Sequence, residues 1–276
     1  MNKVLNIIFG GLILVSYLAP GHILQHEALW YELKELPSGF FLEAGCGIGL
    51  ISNYLLKKGW KGIGIDLNEE AIQINKELNK KFIDAKKYHC QRGDFTTYQD
   101  STTKSSGYDL VISSNVIEHL EEPTFSEFLK NMVSSTKTKG QIVIITPGSP
   151  KDWGIEDEVV GHVKRYTQAD MEKISRDFNI KPINIFGITY PLSNFLLGLS
   201  NYLVKKNEGY KLSNSDYQNT IESSFRKNSL KTEFPTWTRI LINKFTLYPF
   251  IVLQKIFKKH PRSLMILGRF LKQSAK

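Results

Sequence analysis

Residues 41–49 read FLEAGCGIG, and this stretch decides the fold. An apolar run, Phe40–Ala44, leads straight into glycines at 45, 47 and 49, and Leu50–Lys58 then carries apolar residues at helical spacing. Glycines between a strand and a helix let the backbone turn sharply and approach a ligand closely. A dinucleotide site of the GxGxxG kind would place its third glycine at position 50, where Leu50 stands instead. The pattern is GxGxG, with Glu43 just ahead of it. A carboxylate there repels a pyrophosphate and suits a ligand with a positive amino group. A tight turn in some other α/β protein would use the same glycines, so the loop needs partners elsewhere in the chain.

Outward from the loop, short apolar runs alternate with amphipathic stretches, the pattern of a parallel α/β sheet. Gly62–Asp66 (GIGID) reads as a second strand. Asn68 caps the next helix, with Glu69 and Glu70 in its first turn where the helix dipole favours acids. Residues 86–92 form a weaker third strand ending at Gly93-Asp94, and Tyr108–Ser114 (YDLVISS) a fourth. A helix follows Pro123, Gly140 reads as its stop, and Gln141–Thr146 is a fifth strand. Thr167 with Asp170 forms a variant capping box for a helix through Phe178. Ile183–Thr189 gives a sixth strand, and residues 263–268 (SLMILG) a last one returning to the sheet.

Two further acids fall in register with the loop. Asp66 closes the second strand 23 residues after Glu43, near the spacing at which a carboxylate accepts from ribose hydroxyls. Asp94 follows the third strand, in Gly93-Asp94-Phe95. The segment YDLVISSNVIEHL (108–120) brings Ser113, Ser114 and Asn115 to the same sheet edge, where open α/β folds bind ligands.

With these residues in hand, LEAGCGIG resembles motif I of the class I S-adenosylmethionine-dependent methyltransferases, and GDF and EHL resemble later elements of that family. The resemblance covers about residues 38–180. It implies an α/β, Rossmann-like, doubly wound and mostly parallel seven-stranded sheet, with S-adenosyl-L-methionine as cofactor. It also implies cofactor contacts at Glu43, Gly45, Cys46, Gly47 and Gly49, at Asp66 and Leu67, at Asp94 and Phe95, and at Ser113 and Asn115. Asp66 would take the ribose hydroxyls, Asp94 the adenine amino group, and the backbone after the fourth strand the methionine end.

Acceptor chemistry falls on two places. His119 is a candidate general base because its ordinary pKa lies near neutrality; alternatively, Glu118 and His119 simply fix the loop. Residues 156–167, EDEVVGHVKRYT, resemble a GHxxRY segment of bacterial methyltransferases in a ubiquinone-biosynthesis-like branch. There His162 could take a proton and Arg165 could clamp a phosphate or carboxylate; alternatively, the stretch is a lid held by its own ion pairs. The reaction expected is direct methyl transfer to a nucleophile held in line, the protein chiefly positioning it. No metal-ligand spacing stands out, and no metal is expected.

Composition narrows the partners. The formal charge is +9, yet residues 191–276 hold 15 Lys and Arg against 4 Asp and Glu, a balance of +11 that leaves −2 for residues 1–190. Residues 191–203 and 240–257 are apolar and aromatic with interleaved lysines, which suits an anionic membrane interface or a helical cover over the site. The basic residues lie in long aliphatic runs with no nucleic-acid-binding motif, so nucleic acid is not expected as a partner. Cys46 and Cys90 have neither disulfide density nor metal spacing and point to a reduced, cytoplasmic setting. Residues 4–19 are apolar, but sixteen helical residues reach only about 24 Å against a bilayer core of about 30 Å. A membrane-dipping or buried helix, an anchor and a cleaved signal all stay open for that segment.

The expected organisation is an apolar helical segment (1–30), a methyltransferase domain (31–190), a basic helical appendage (191–260) and a last strand with tail (261–276). The expected activity is methyl transfer to an amphipathic or lipid-linked acceptor, a hydroxyl above all, with the protein peripheral on the inner face of a membrane. A soluble small-molecule O-methyltransferase and a non-catalytic cofactor-binding protein are the alternatives.

Overall fold

The computed structural model describes residues 19–98, 107–208 and 242–274. The apolar segment 4–19 apart from Ala19, and residues 209–241 of the appendage, lie outside the described residues.

Seven strands form one sheet: β1 (Phe40–Ala44), β2 (Lys61–Asp66), β3 (Tyr88–Arg92), β4 (Tyr108–Ser114), β5 (Thr136–Pro147), β6 (Ile180–Ile188) and β7 (Met265–Lys272). Their order across the sheet is β3-β2-β1-β4-β5-β7-β6. The pairs from β3 through β5 are parallel, and β7 lies antiparallel between β5 and β6. This is the expected doubly wound sheet, and it places a topological switch point between β1 and β4. In open α/β sheets the crevice beyond the strand ends at such a point is the ligand site.

Alternating side chains explain why the sheet is covered on both faces. Phe41, Leu110, Ile112 and Val143 enter one core with helices α1 (Pro20–Leu33), α2 (Leu50–Lys57) and α3 (Glu69–Leu78). Their neighbours Leu42, Val111 and Ile142 enter the other, under α5 (Thr124–Ser135) and α7 (Gln168–Asp177). Short α4 (Lys80–Asp84) follows α3, and α6 (Ile155–Val160) lies in the loop after β5. A third, small core joins Leu24 of α1 to Leu192 of α8 (Leu192–Glu208) and to Leu247 and Ile251, the latter in α9 (Tyr248–Ile256). The N-terminal helix and the C-terminal helices therefore cover one another.

One expectation is corrected. Gly140 does not stop a helix: α5 ends at Ser135, and β5 already begins at Thr136. Thr136 closes the helix with its hydroxyl on the Met132 carbonyl, 2.7 Å away. The pairing with β4 then jumps from Tyr108↔Thr136 to Leu110↔Gln141, so Gly140 sits in a bulge that includes the left-handed Lys139.

Candidate active site

The glycine loop crosses the switch point on a frame of backbone bonds. Gly45 and Cys46 both donate to the Ile65 carbonyl, at 2.8 and 3.0 Å, which ties the loop to β2. Gly45 has φ +77°, and a side chain there would overlap Val116 beyond β4. Gly49, at φ +80°, leaves the space that the Asn75 side chain fills. Asn75 donates to the Gly47 carbonyl at 3.2 Å and to Cys46 Sγ at 3.3 Å, while Asn79 donates to the Gly49 carbonyl at 3.3 Å. Two asparagines on α3 and its cap thus hold the loop carbonyls. Their spacing of four residues opposite a glycine loop was the available sequence signal.

Three carboxylates stand at neighbouring strand ends. Asp66 accepts from Gly47 N at 2.7 Å and Asn68 N at 2.9 Å, and Asn68 caps α3 as expected. Leu67, beside it, is 46% exposed, an apolar side chain left open at the sheet edge. Asp94 lies exposed and accepts from Thr96 N at 2.8 Å in a side-chain-closed turn. Phe95 is buried edge-on to Phe128, with ring centroids 5.1 Å apart, and Asn131 holds its carbonyl. Glu43 is fully buried beneath the loop, where the Ser52 hydroxyl donates to it. Burial, outweighing that hydrogen bond, pushes Glu43 up to about 8. Ser52 had no sequence signal beyond being a hydroxyl in the first turn of α2.

Beyond β4 the site changes character. Ser113 is buried, and Asn115 takes a left-handed conformation with its amide on the Ile145 carbonyl, 2.9 Å away. A 3-10 turn, Ile117–His119, follows. Glu118 is fully buried, accepts from Thr146 Oγ1 at 3.1 Å, and is pushed up to about 7 by that burial. Its carbonyl takes Val163 N and Lys164 N, and Tyr166 donates its hydroxyl to the Ile117 carbonyl at 3.1 Å. The GHxxRY loop therefore folds back over the turn.

That fold-back brings the two histidines together, ring centroids 4.8 Å apart and edge to face. His119 Nδ1 lies 3.0 Å from the Gly161 carbonyl, and burial, aided by neighbouring His162, pushes His119 down to about 4. It is therefore a weak proton acceptor at neutral pH. His162 Nδ1 lies 2.7 Å from Asp157 Oδ1. Arg165 is buried, with Nε on the same Asp157 oxygen at 2.7 Å and Nη1 on the Gly148 carbonyl at 3.0 Å. Burial opposes ionisation of Asp157, but the bonds from His162 and Arg165 hold it below the usual carboxylate range. The clamp on an acceptor anion expected of Arg165 is thus replaced by an internal pair that positions Asp157. Asp157 and Thr146 were not singled out beforehand. The acidic cluster 156–158 was the only signal for the first.

Residues 42–142 match the methyltransferase domain family model. The ubiquinone biosynthesis O-methyltransferase of Coxiella burnetii (strain RSA 493 / Nine Mile phase I) is 26% identical over 129 residues, 46% of this chain and 52% of that protein. The mitochondrial ubiquinone biosynthesis O-methyltransferase of Saccharomyces cerevisiae is 28% identical over 127 residues, 44% of this chain and 38% of that protein. The chain thus spans about half or less of the length of these curated relatives. Among solved structures, a phosphoethanolamine N-methyltransferase of Haemonchus contortus in complex with S-adenosyl-L-methionine superposes with a TM-score of 0.57 at 16% identity, over 91% of this chain and 52% of that one. A geranyl diphosphate methyltransferase with sinefungin gives 0.57 at 11%, over 90% and 78%. At such identities these structures speak for the fold alone. Matched domain, sheet order and glycine loop together support a class I S-adenosylmethionine-dependent methyltransferase domain across residues 42–142.

Proposed function

We propose that the chain moves the methyl group of S-adenosylmethionine to an oxygen of an amphipathic or lipid-linked acceptor at an anionic membrane surface. The residues present suit the cofactor. A glycine-cradled crevice, three carboxylates and an open apolar Leu67 match a ligand with an amino acid, a ribose and an aromatic base. Asp66 would hold the ribose hydroxyls, Asp94 and the Phe95 amide the adenine edge, and Leu67 its face. The backbone of Gly45, Cys46, Gly47 and Gly49, with Ser113 and Asn115 opposite, would hold the methionine end. Glu43 would act from beneath the loop, its ionised form favoured by a cation above it. Once bound, the cofactor supplies an electrophilic methyl. This chain's part is to align the acceptor and exclude water, with His162 and His119 at the acceptor side and Arg165 holding Asp157 in place.

One observation carries the membrane reading. Phe195, Leu199 and Tyr202 form an exposed apolar stripe on α8, and Phe245, Tyr248, Val252 and Ile256 form another leading into and along α9; Phe195 is 88% and Phe245 87% exposed. Contiguous apolar stripes on water-facing helices mark interaction surfaces. Lys244, Lys255, Lys258 and Lys259 accompany the second stripe, as an anionic lipid surface would select. Helix α8 also packs against α6, the helix that carries Asp157. Among the described residues no helix is long and apolar enough to cross a membrane, so the contact proposed is peripheral. The relatives named for O-methylation in ubiquinone biosynthesis support an oxygen acceptor of amphipathic kind. A labelled-methyl assay on fractionated cell lipids tests the reading, with incorporation expected in the organic phase. Label confined to water-soluble acceptors would move the protein to the soluble O-methyltransferases. Full activity in a His119→Ala, His162→Ala double variant would remove both histidines from the acceptor chemistry.

A further inference from the structure

Glu118, His119 and His162 each offer one ligating atom, and those atoms lie within 4.8 Å of one another. Each side chain is held from behind. His162 Nδ1 is bonded to Asp157 at 2.7 Å, His119 Nδ1 to the Gly161 carbonyl at 3.0 Å, and Glu118 Oε2 to the Thr146 hydroxyl at 3.1 Å. Those outer bonds leave His162 Nε2 facing Glu118 Oε1 across 3.9 Å. Glu118 Oε1 is buried and has no hydrogen-bond partner. A buried carboxylate oxygen in that state is costly unless the group takes up a proton or a cation meets it.

We infer that this cluster binds one divalent first-row transition ion through Glu118 Oε1, His162 Nε2 and His119 Nε2. Metal-bound imidazoles usually donate their second nitrogen to a carboxylate or a backbone carbonyl, and here one histidine has each. Two imidazoles with one carboxylate suit Zn²⁺, Fe²⁺ or Mn²⁺ better than Mg²⁺ or Ca²⁺, which take oxygen ligands almost alone. Metal bonds of about 2.0–2.2 Å put tetrahedral ligands about 3.4 Å apart, so the three atoms need to close by roughly an ångström. Small rotations of the imidazoles supply that movement. Three protein ligands leave positions open. The turn carrying Glu118 abuts the glycine loop through Val116 and Gly45, so an open position would face the acceptor and orient its oxygen. That last step rests on the methyl-transfer reading; the ion site itself does not.

The test is calorimetric titration of the chelator-stripped full chain with Zn²⁺ and Mn²⁺, and in parallel with S-adenosylmethionine. One ion per chain is expected, with affinity weakened by at least about 100-fold in Glu118→Gln and in His162→Gln, while S-adenosylmethionine affinity stays close to the parent's. Because Glu118 is buried and its variant can misfold, the parent's Co²⁺ complex gives an independent reading. Visible d–d bands of a nitrogen- and oxygen-ligated ion are expected. The inference is overturned if the parent binds no stoichiometric ion, if both variants bind as tightly as the parent, or if cobalt shows only its aqua spectrum. In those cases Glu118 and His162 are simply a buried ion pair. Ion binding without S-adenosylmethionine binding would support the ion site and sink the methyl-transfer reading instead.

Discussion

Along the ends of β1, β2 and β3 the site is made of single residues at strand ends, whereas beyond β4 it is a knot of side chains from four separate segments. On the first side Glu43 accepts from the Ser52 hydroxyl, Asp66 from Gly47 N and Asn68 N, and Asp94 from Thr96 N, each carboxylate set by its own strand. On the second, Glu118, Thr146, Asp157, His162 and Arg165 depend on one another, and Asp157 alone serves three partners, His162, Arg165 and Gly154 N. The lesson is one of coupling. A strand-end site loses one contact at a time, but a buried polar knot is disturbed as a unit.

The sharpest way to break this contrast is Asp157→Ala. It leaves the Arg165 guanidinium buried without its carboxylate and frees His162, so a loss of about 3–5 kcal/mol in stability is expected in denaturant titration. A change below about 1 kcal/mol would show that the knot is not coupled. Next comes Asp66→Ala, which would remove the two charge-assisted contacts proposed to the ribose. S-adenosylmethionine affinity should fall by about 100-fold, with the fold kept, since each such bond contributes about 1.5–3 kcal/mol. Unchanged affinity in calorimetry would disprove the strand-end assignment.

Two smaller effects refine the picture. Phe195→Glu or Phe245→Glu should lower flotation with anionic liposomes by about tenfold each, since an exposed aromatic contributes about 1.5–3 kcal/mol when buried. A protein that never floats with such liposomes would return the acceptor side to soluble chemistry. Glu43 gives a pH signature. Its carboxyl is raised to about 8 in the folded chain from an ordinary 4.5, so the folded state holds an extra proton between those values. Stability therefore falls as pH rises through that window, and Glu43→Gln should flatten the fall. A cationic ligand favours the ionised form, so S-adenosylmethionine affinity should rise with pH toward about 8, by at most about tenfold per unit, and the variant should lose that slope.

The placement of the glycine loop and its three acids was legible in sequence because its signals are local. A glycine loop, the acid at a strand end and the next strand's acid sit at intervals set by one βα unit each, and Asn68 and Thr167 mark helix starts by their own hydrogen bonds. Gly140 misled for the same reason: a glycine after an amphipathic run is a local stop signal, and only pairing with β4 shows that the strand has already begun. The acceptor side gave weaker signals. His119 and His162 were visible as chemistry-bearing residues, but 43 positions of chain separate them, and no local rule says they meet.

From sequence alone, then, come the strand–loop–helix rhythm, the order of the acids along it and the likeness to a methyl-transfer family, since each is written within one or two neighbouring elements. The tertiary structure alone decided that Glu43 lies beneath the loop on Ser52, that Arg165 turns inward to Asp157, and that Glu118, His119 and His162 converge. The first depends on α2 setting its opening turn against the end of β1, and the other two on the return of residues 148–167 across the ends of β4 and β5. Burial there, which no stretch of sequence specifies, sets which carboxylates and imidazoles are left facing one another.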